Sequence, residues 1–181
     1  DPSYIDMYRE STPHEDRARF YGMITHIDEN FGVLQQKFIE LGIADDTILV
    51  FMTDNGTATG VELDVAGYAL EGPASFNAGM RGKKGSPYEG GHRVPFLVRY
   101  PNGGALGGRD VDVLTSYVDF MPTVLNLCGV ESTGTQPFHG EDLSPVIRGE
   151  TNRPEWADRL IVSDTQRIAR PMKWRKSSVM K

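Results

Sequence analysis

With 181 residues, 39% of them hydrophobic and 24% charged, the chain has the size and composition of one globular domain with a full core. A formal net charge of -6 argues against nucleic acid or an anionic membrane as its main partner. Its single cysteine, Cys128, excludes an internal disulfide framework, and no apolar stretch approaches the length of a bilayer span.

The chain opens on Asp1 with no initiator Met and no signal-peptide pattern, and it closes on Trp174–Lys181, which reads like a strand cut short. The expectation is a fragment of a longer protein. Residues 1–13 carry two prolines and no period, so they read as an irregular lead-in. From Glu15 to Leu41, Phe20, Met23, Ile24, Ile27, Phe31, Leu34, Phe38 and Leu41 recur at three- and four-residue steps. That spacing predicts a long amphipathic helix with one buried face, stopped by Gly42.

Residues 47–52 predict a short strand, apolar on both faces as in a covered parallel sheet. A long glycine-rich loop follows over 53–92, and Val94–Tyr100 predicts a second strand, stopped by Pro101. Val111–Tyr117 is a third strand candidate. Asp119 is placed to cap a short helix, with Pro122 in its first turn and Gly129 past its end. One more helical turn is expected over 142–148. Arg159–Asp164 and Lys173–Met180 predict strands of a smaller antiparallel unit. The expected fold class is therefore α/β, with residues 1–150 in the main domain and 151–181 beginning a small antiparallel subdomain. Cys128, on an apolar helix, is expected in the core, and His26, beside the apolar face of the long helix, to pack or meet solvent.

Two stretches carry chemistry. "FMTDNGTATG", residues 51–60, sets Asp54, Asn55 and Gly56 where a strand stops. On those residues alone a simple turn is the better reading, because Asn and Gly both tolerate positive φ. The alternative is an oxygen-rich pair holding a metal or ligand at the carboxyl end of a buried strand. "FNAGMRGKKGSPYEGGHRVPF", residues 76–96, sets Arg81, Lys83 and Lys84 among glycines. Such a loop suits a sulfate or phosphate, since glycines allow close backbone approach and a lysine supplies a compact charge. A lone Lys-Lys pair is more often a solvated surface loop.

Together, "DDTILVFMTDNGT" and "GMRGKKGSPYEGGHRVPF" resemble the sulfatase family of the alkaline-phosphatase-like superfamily. "RFYGMITHIDENFGVLQQKFIELGIADDT", "TSYVDFMPTVLNLCGV" and "FHGEDLSPVIRGE" extend the resemblance over nearly the whole chain. It implies an alkaline-phosphatase-like fold with a mixed, mainly parallel sheet flanked by helices. It implies that Asp54 and Asn55 ligate a divalent cation, calcium in general and magnesium as the alternative. Oxygen ligands from a carboxylate and an amide suit a hard cation. An amide after the aspartate, where phosphatase-type relatives carry histidine, favours one such ion over a zinc pair. Lys84, five residues before Glu89, matches the catalytic lysine that contacts the substrate's sulfate group, with Lys83 its neighbour in substrate binding. Glu89, Gly90, Gly91 and Arg93 read as scaffolding.

The resemblance also implies a formylglycine nucleophile, made from a C-x-P-x-R motif with further acidic ligands. That motif is absent from this chain. Sequence reasoning thus expects about half of an active site, from an enzyme that cleaves sulfate esters, sulfated glycans among them, in the periplasm or outside the cell. A phosphonate monoester or phosphodiester hydrolase and a non-catalytic sulfated-glycan-binding module are the alternatives. One geometric expectation separates site from turn. The loop anchors near Gly82 and Glu89 must face the edge that carries Asp54, because one sulfate has to touch both cation and lysine.

Overall fold

The structure, a computed structural model, describes residues 1–12, 15–57, 78–105, 107–150, 154–164, 166 and 168–181. The chain divides into two compact units. One comprises Asp1–Ala44 and Asp54–Val94, the other Asp45–Thr53 and Pro95–Lys181.

In the first unit the lead-in is ordered, against expectation. Helix α1 spans Pro2–Asp6, and the Asp1 side chain accepts from the Ser3 N–H at its start. Pro2 occupies the first helical turn, where no N–H is needed and its fixed φ is already helical. Helix α2 runs from Glu15 to Glu40 as the periodicity predicts, with acids in its first turn, Lys37 in its last, and Gly42 at φ +69° beyond it. The two helices are joined by paired side chains. Tyr8 and Thr25 share a hydroxyl hydrogen bond of 2.5 Å, Tyr4 donates to the Glu29 carboxylate, and the Tyr4 and His26 rings lie 5.0 Å apart. Gly22 is buried where the Tyr4 backbone crosses α2.

The apolar face of α2 is covered only in part. Arg17, Ala18 and Gly22 are its buried residues, whereas Met23, Ile24, Ile27, Leu34 and, just past its end, Leu41 are exposed. Helix α1 packs on a different side of α2, where Tyr4 meets Gly22, His26 and Glu29, and the apolar residues named lie off that contact.

In the second unit, β1 (Leu49–Met52) pairs antiparallel with β2 (Phe96–Arg99), Leu49 opposite Arg99 and Met52 opposite Phe96. Sequence reasoning set β1 among parallel neighbours. The pairing observed follows from the chain path, because the long loop leaves after Met52 and returns before Phe96, so its two ends are neighbours across the ladder. Asp45 receives the Arg99 guanidinium at 2.7 Å and the Asn102 N–H at 3.0 Å just beyond this ladder.

Val111–Tyr117 is not a strand. Two of its backbone groups are taken by side chains instead of a ladder. Arg159 donates to the Leu114 carbonyl at 2.8 Å, and the Ser116 N–H donates to the Asp119 carboxylate at 2.7 Å. A 3-10 turn at Tyr117–Asp119 leads into a helix at Phe120–Leu127, which carries Pro122 in its first turn. Cys128 caps that helix and is exposed, a correction to the core expectation: the helix is amphipathic, and Thr123 and Leu127 take its buried side. Gly129 follows at φ +65°. The expected later turn is a short helix, Ser144–Ile147.

Asp119 is fully buried and holds this unit together. Its carboxylate accepts from Ser116 N–H, from Glu141 N–H at 2.8 Å and from both terminal nitrogens of Arg159. The expected terminal ladder is present as β3 (Ile161–Asp164) and β4 (Ser177–Met180), antiparallel. The Ser177 hydroxyl, and after it the Gln166 amide, hold the Asp164 carboxyl below the usual carboxylate range. No helix among the described residues is long and apolar enough to cross a membrane.

Candidate active site

The described parts of the two chemical stretches that lie in the first unit, residues 54–57 and 78–94, meet through their backbones. The Gly56 N–H donates to the Gly91 carbonyl at 3.0 Å, and the Lys84 N–H donates to the Thr57 carbonyl at 2.8 Å. The segment Asp54–Thr57 is therefore held at two points by the segment that carries the lysines. Lys84 and Gly91, close in sequence to the Gly82 and Glu89 anchors, thus lie beside the Asp54–Thr57 segment.

The crossing is made by glycines. A Cβ on Gly56 would lie 2.7 Å from the Gly90 carbonyl carbon and closer still to its oxygen. One on Gly90 would meet the Arg81 carbonyl at 2.8 Å, and one on Gly91 the Lys83 carbonyl at the same distance. Real side chains do not tolerate such approaches, so three segments of backbone cross here in close contact, with the Ser86 side chain packed against Gly91 and Gly82 beside them. The "YEGGH" stretch forms a single helical turn, Glu89–His92, steadied by the Arg93–Glu89 ion pair at 3.2 Å and by His92 on the Pro87 carbonyl.

Asp54 is exposed and Asn55 half-buried. The Asn55 Nδ2 donates to the Gly56 carbonyl at 2.9 Å, leaving the amide oxygen as an acceptor. A carboxylate and an amide oxygen on adjacent residues fit part of a hard cation's shell, which takes six to eight oxygens for calcium. Among the described residues no group of three or more His, Cys, Asp or Glu side chains could hold a metal ion. The pair fits the cation as a partial donor set.

Lys83 and Lys84 are half-buried. They lie in a reverse turn whose ends bond reciprocally. The Ser86 N–H donates to the Lys83 carbonyl at 2.9 Å, and the Lys83 N–H donates to Ser86 Oγ at 3.1 Å. Gly85, at φ +81°, supplies the positive dihedral that such a turn needs at its third position. Arg81 lies with its guanidinium carbon 3.8 Å from the Tyr88 ring centroid, a cation–π contact on the same loop. Sequence reasoning missed the Ser86 turn and the Arg81–Tyr88 stack. The signal for the first was present in "KKGS", a glycine at the third and a serine at the fourth position of a turn.

The family model described as Sulfatase matches residues 1–130. This chain belongs to the sulfatase family. Mouse steryl-sulfatase is 39% identical over 132 residues, covering 73% of this chain and 20% of that protein. The endo-4-O-sulfatase of Bacteroides thetaiotaomicron is 29% identical over 141 residues, 76% of this chain and 24% of its own. A solved structure of BT4656 in complex with its substrate D-glucosamine-2-N,6-O-disulfate superposes with a TM-score of 0.66 at 24% identity, over 90% of this chain and 29% of that one. The sulfatase chain thus spans a fifth to a quarter of the length of these curated relatives. Its fold is that of the alkaline-phosphatase-like sulfatases, seen here as helices with two small antiparallel sheets.

Proposed function

We propose that this chain is the C-terminal part of the catalytic domain of a sulfuric ester hydrolase, with residues 1–150 in that domain and 151–181 opening a small antiparallel subdomain. One observation carries the reading. In a chain of the sulfatase family, the Asp54–Asn55 segment and the Lys84 turn are bonded to each other through Gly56–Gly91 and Thr57–Lys84. Asp54 and Asn55 would hold the divalent cation, calcium or in its place magnesium, and the cation when bound neutralises charge on the sulfate oxygens. Lys84 brings a compact positive charge to the same sulfate and stabilises the charge that develops as the ester bond breaks. Lys83 flanks it. The nucleophile belongs to the rest of the longer parent protein, where the family resemblance implies a formylglycine. The relatives' names include steryl-, aryl- and endo-4-O-sulfatases, so the substrate is assigned as a sulfate ester and no further.

The test is made on the parent enzyme with an aryl sulfate. Lys84→Ala is expected to lower kcat/KM by about 100-fold or more, and Asp54→Ala to abolish the response to added calcium after chelation. Full activity in Lys84→Ala, or turnover of a phosphonate monoester in preference to the sulfate, would overturn the reading.

A further inference from the structure

The lysine assigned above has a flexible four-carbon stem on a glycine-rich loop, and such a group locates a sulfate only if its backbone is fixed. The structure shows what fixes it. Lys84 is the second residue of the Lys83–Ser86 turn, and its N–H is spent outside that turn, on the Thr57 carbonyl at 2.8 Å. Ser86 closes the turn twice, by N–H to the Lys83 carbonyl and by Oγ to the Lys83 N–H. Its side chain also lies against two backbones at once. A Cβ on Gly91 would come within 2.8 Å of Ser86 Oγ, and one on Gly82 within 3.1 Å of Ser86 Cβ. The serine therefore packs the lysine turn against the glycine whose carbonyl receives the Gly56 N–H.

We infer that Ser86 is a positioning residue for Lys84, its hydroxyl fixing the turn that aims the ammonium at the sulfate bound beside Asp54. The inference rests on the sulfate reading of Lys84. Without Oγ the turn loses the bond from Lys83 N–H that closes it a second time, and that loss favours opening of the turn. Because Lys84 leaves from the middle of that turn, its Cα and stem direction move with it. Ser86 itself touches neither substrate nor cation in this scheme.

The experiment is a double-mutant cycle in the parent enzyme with an aryl sulfate. Ser86→Ala is expected to lower kcat/KM about five- to tenfold, with the calcium concentration for half-maximal activity unchanged. Ser86→Thr, which keeps the hydroxyl, is expected to restore activity. In a Lys84→Ala background the Ser86→Ala loss should shrink below about twofold, because no ammonium is left to aim. An undiminished Ser86→Ala loss in that background would overturn the inference while leaving the sulfate reading intact. A Lys84→Ala enzyme as active as the wild type would overturn both. Should Ser86→Ala fail to fold, Ser86→Thr against Ser86→Val makes the same comparison at matched volume, and equal activity of the two sinks the inference.

Discussion

At the scale of single residues, the chain depends on buried polar groups as much as on apolar ones. Asp119 has no solvent exposure, and its carboxylate takes two backbone N–H groups and an arginine fork. Burying such a charge is favourable only while every partner is present. Asp119→Ala would leave Arg159, itself mostly buried, without its counter-charge and the Ser116 and Glu141 amides without acceptors. The expected cost is about 3–5 kcal/mol, read as a fall in the denaturant midpoint of the chain. A loss below about 1 kcal/mol would mean that water replaces the carboxylate, as it does around surface pairs.

At the scale of elements, two glycines in α2 should respond oppositely to the same substitution. Alanine is favoured over glycine in a helix interior by about 1 kcal/mol. Gly32 has open space where its Cβ would stand, so Gly32→Ala should raise stability by about that amount. Gly22 lies under α1, and a Cβ there would come within 2.8 Å of the Tyr4 backbone. Gly22→Ala should therefore push α1 off α2 and lower stability by about 1–3 kcal/mol. Chemical denaturation of both variants checks the sign; two stabilising substitutions would show that α1 does not need this approach. The same elements show what was legible in advance. The long helix was plain from its apolar period and its Gly42 stop, and the terminal ladder from its two alternating segments. Strand direction was not, because a short apolar strand reads alike in parallel and antiparallel sheets. Nor could the absence of the third strand be foreseen, since Val111–Tyr117 has strand composition and its backbone is claimed partly by Arg159, distant in sequence. Among candidate site residues, Asp54, Asn55 and Lys84 were singled out through motif order. Ser86 acts through backbone bonds, and a motif read for side-chain chemistry passes over such a residue.

At the scale of the whole molecule, the candidate site is partial by composition. The chain has no C-x-P-x-R motif, and its paired oxygen donors fall short of a calcium shell. The isolated chain is accordingly expected to hydrolyse no aryl sulfate in the presence of calcium, measured against a buffer blank. Its calcium affinity, by calorimetric titration, should be weaker than micromolar. Turnover that survives repurification and disappears in Lys84→Ala would refute the first expectation. Submicromolar binding abolished by Asp54→Ala would refute the second and point to donors in this chain beyond Asp54 and Asn55.

The stacking of Gly56, Gly90 and Gly91 has a consequence for how such a chain can vary. A clash between two side chains can be relieved by a second substitution that shrinks one of them. At this crossing the colliding atoms include peptide carbonyls, which every residue carries. No compensating substitution at the facing position can remove them, so relief requires the backbone itself to move, and the Asp54–Lys84 spacing moves with it. In a deep mutational scan of the parent these three positions should accept no single replacement, and suppressors of Gly90→Ala should be absent from Gly82 and Arg81.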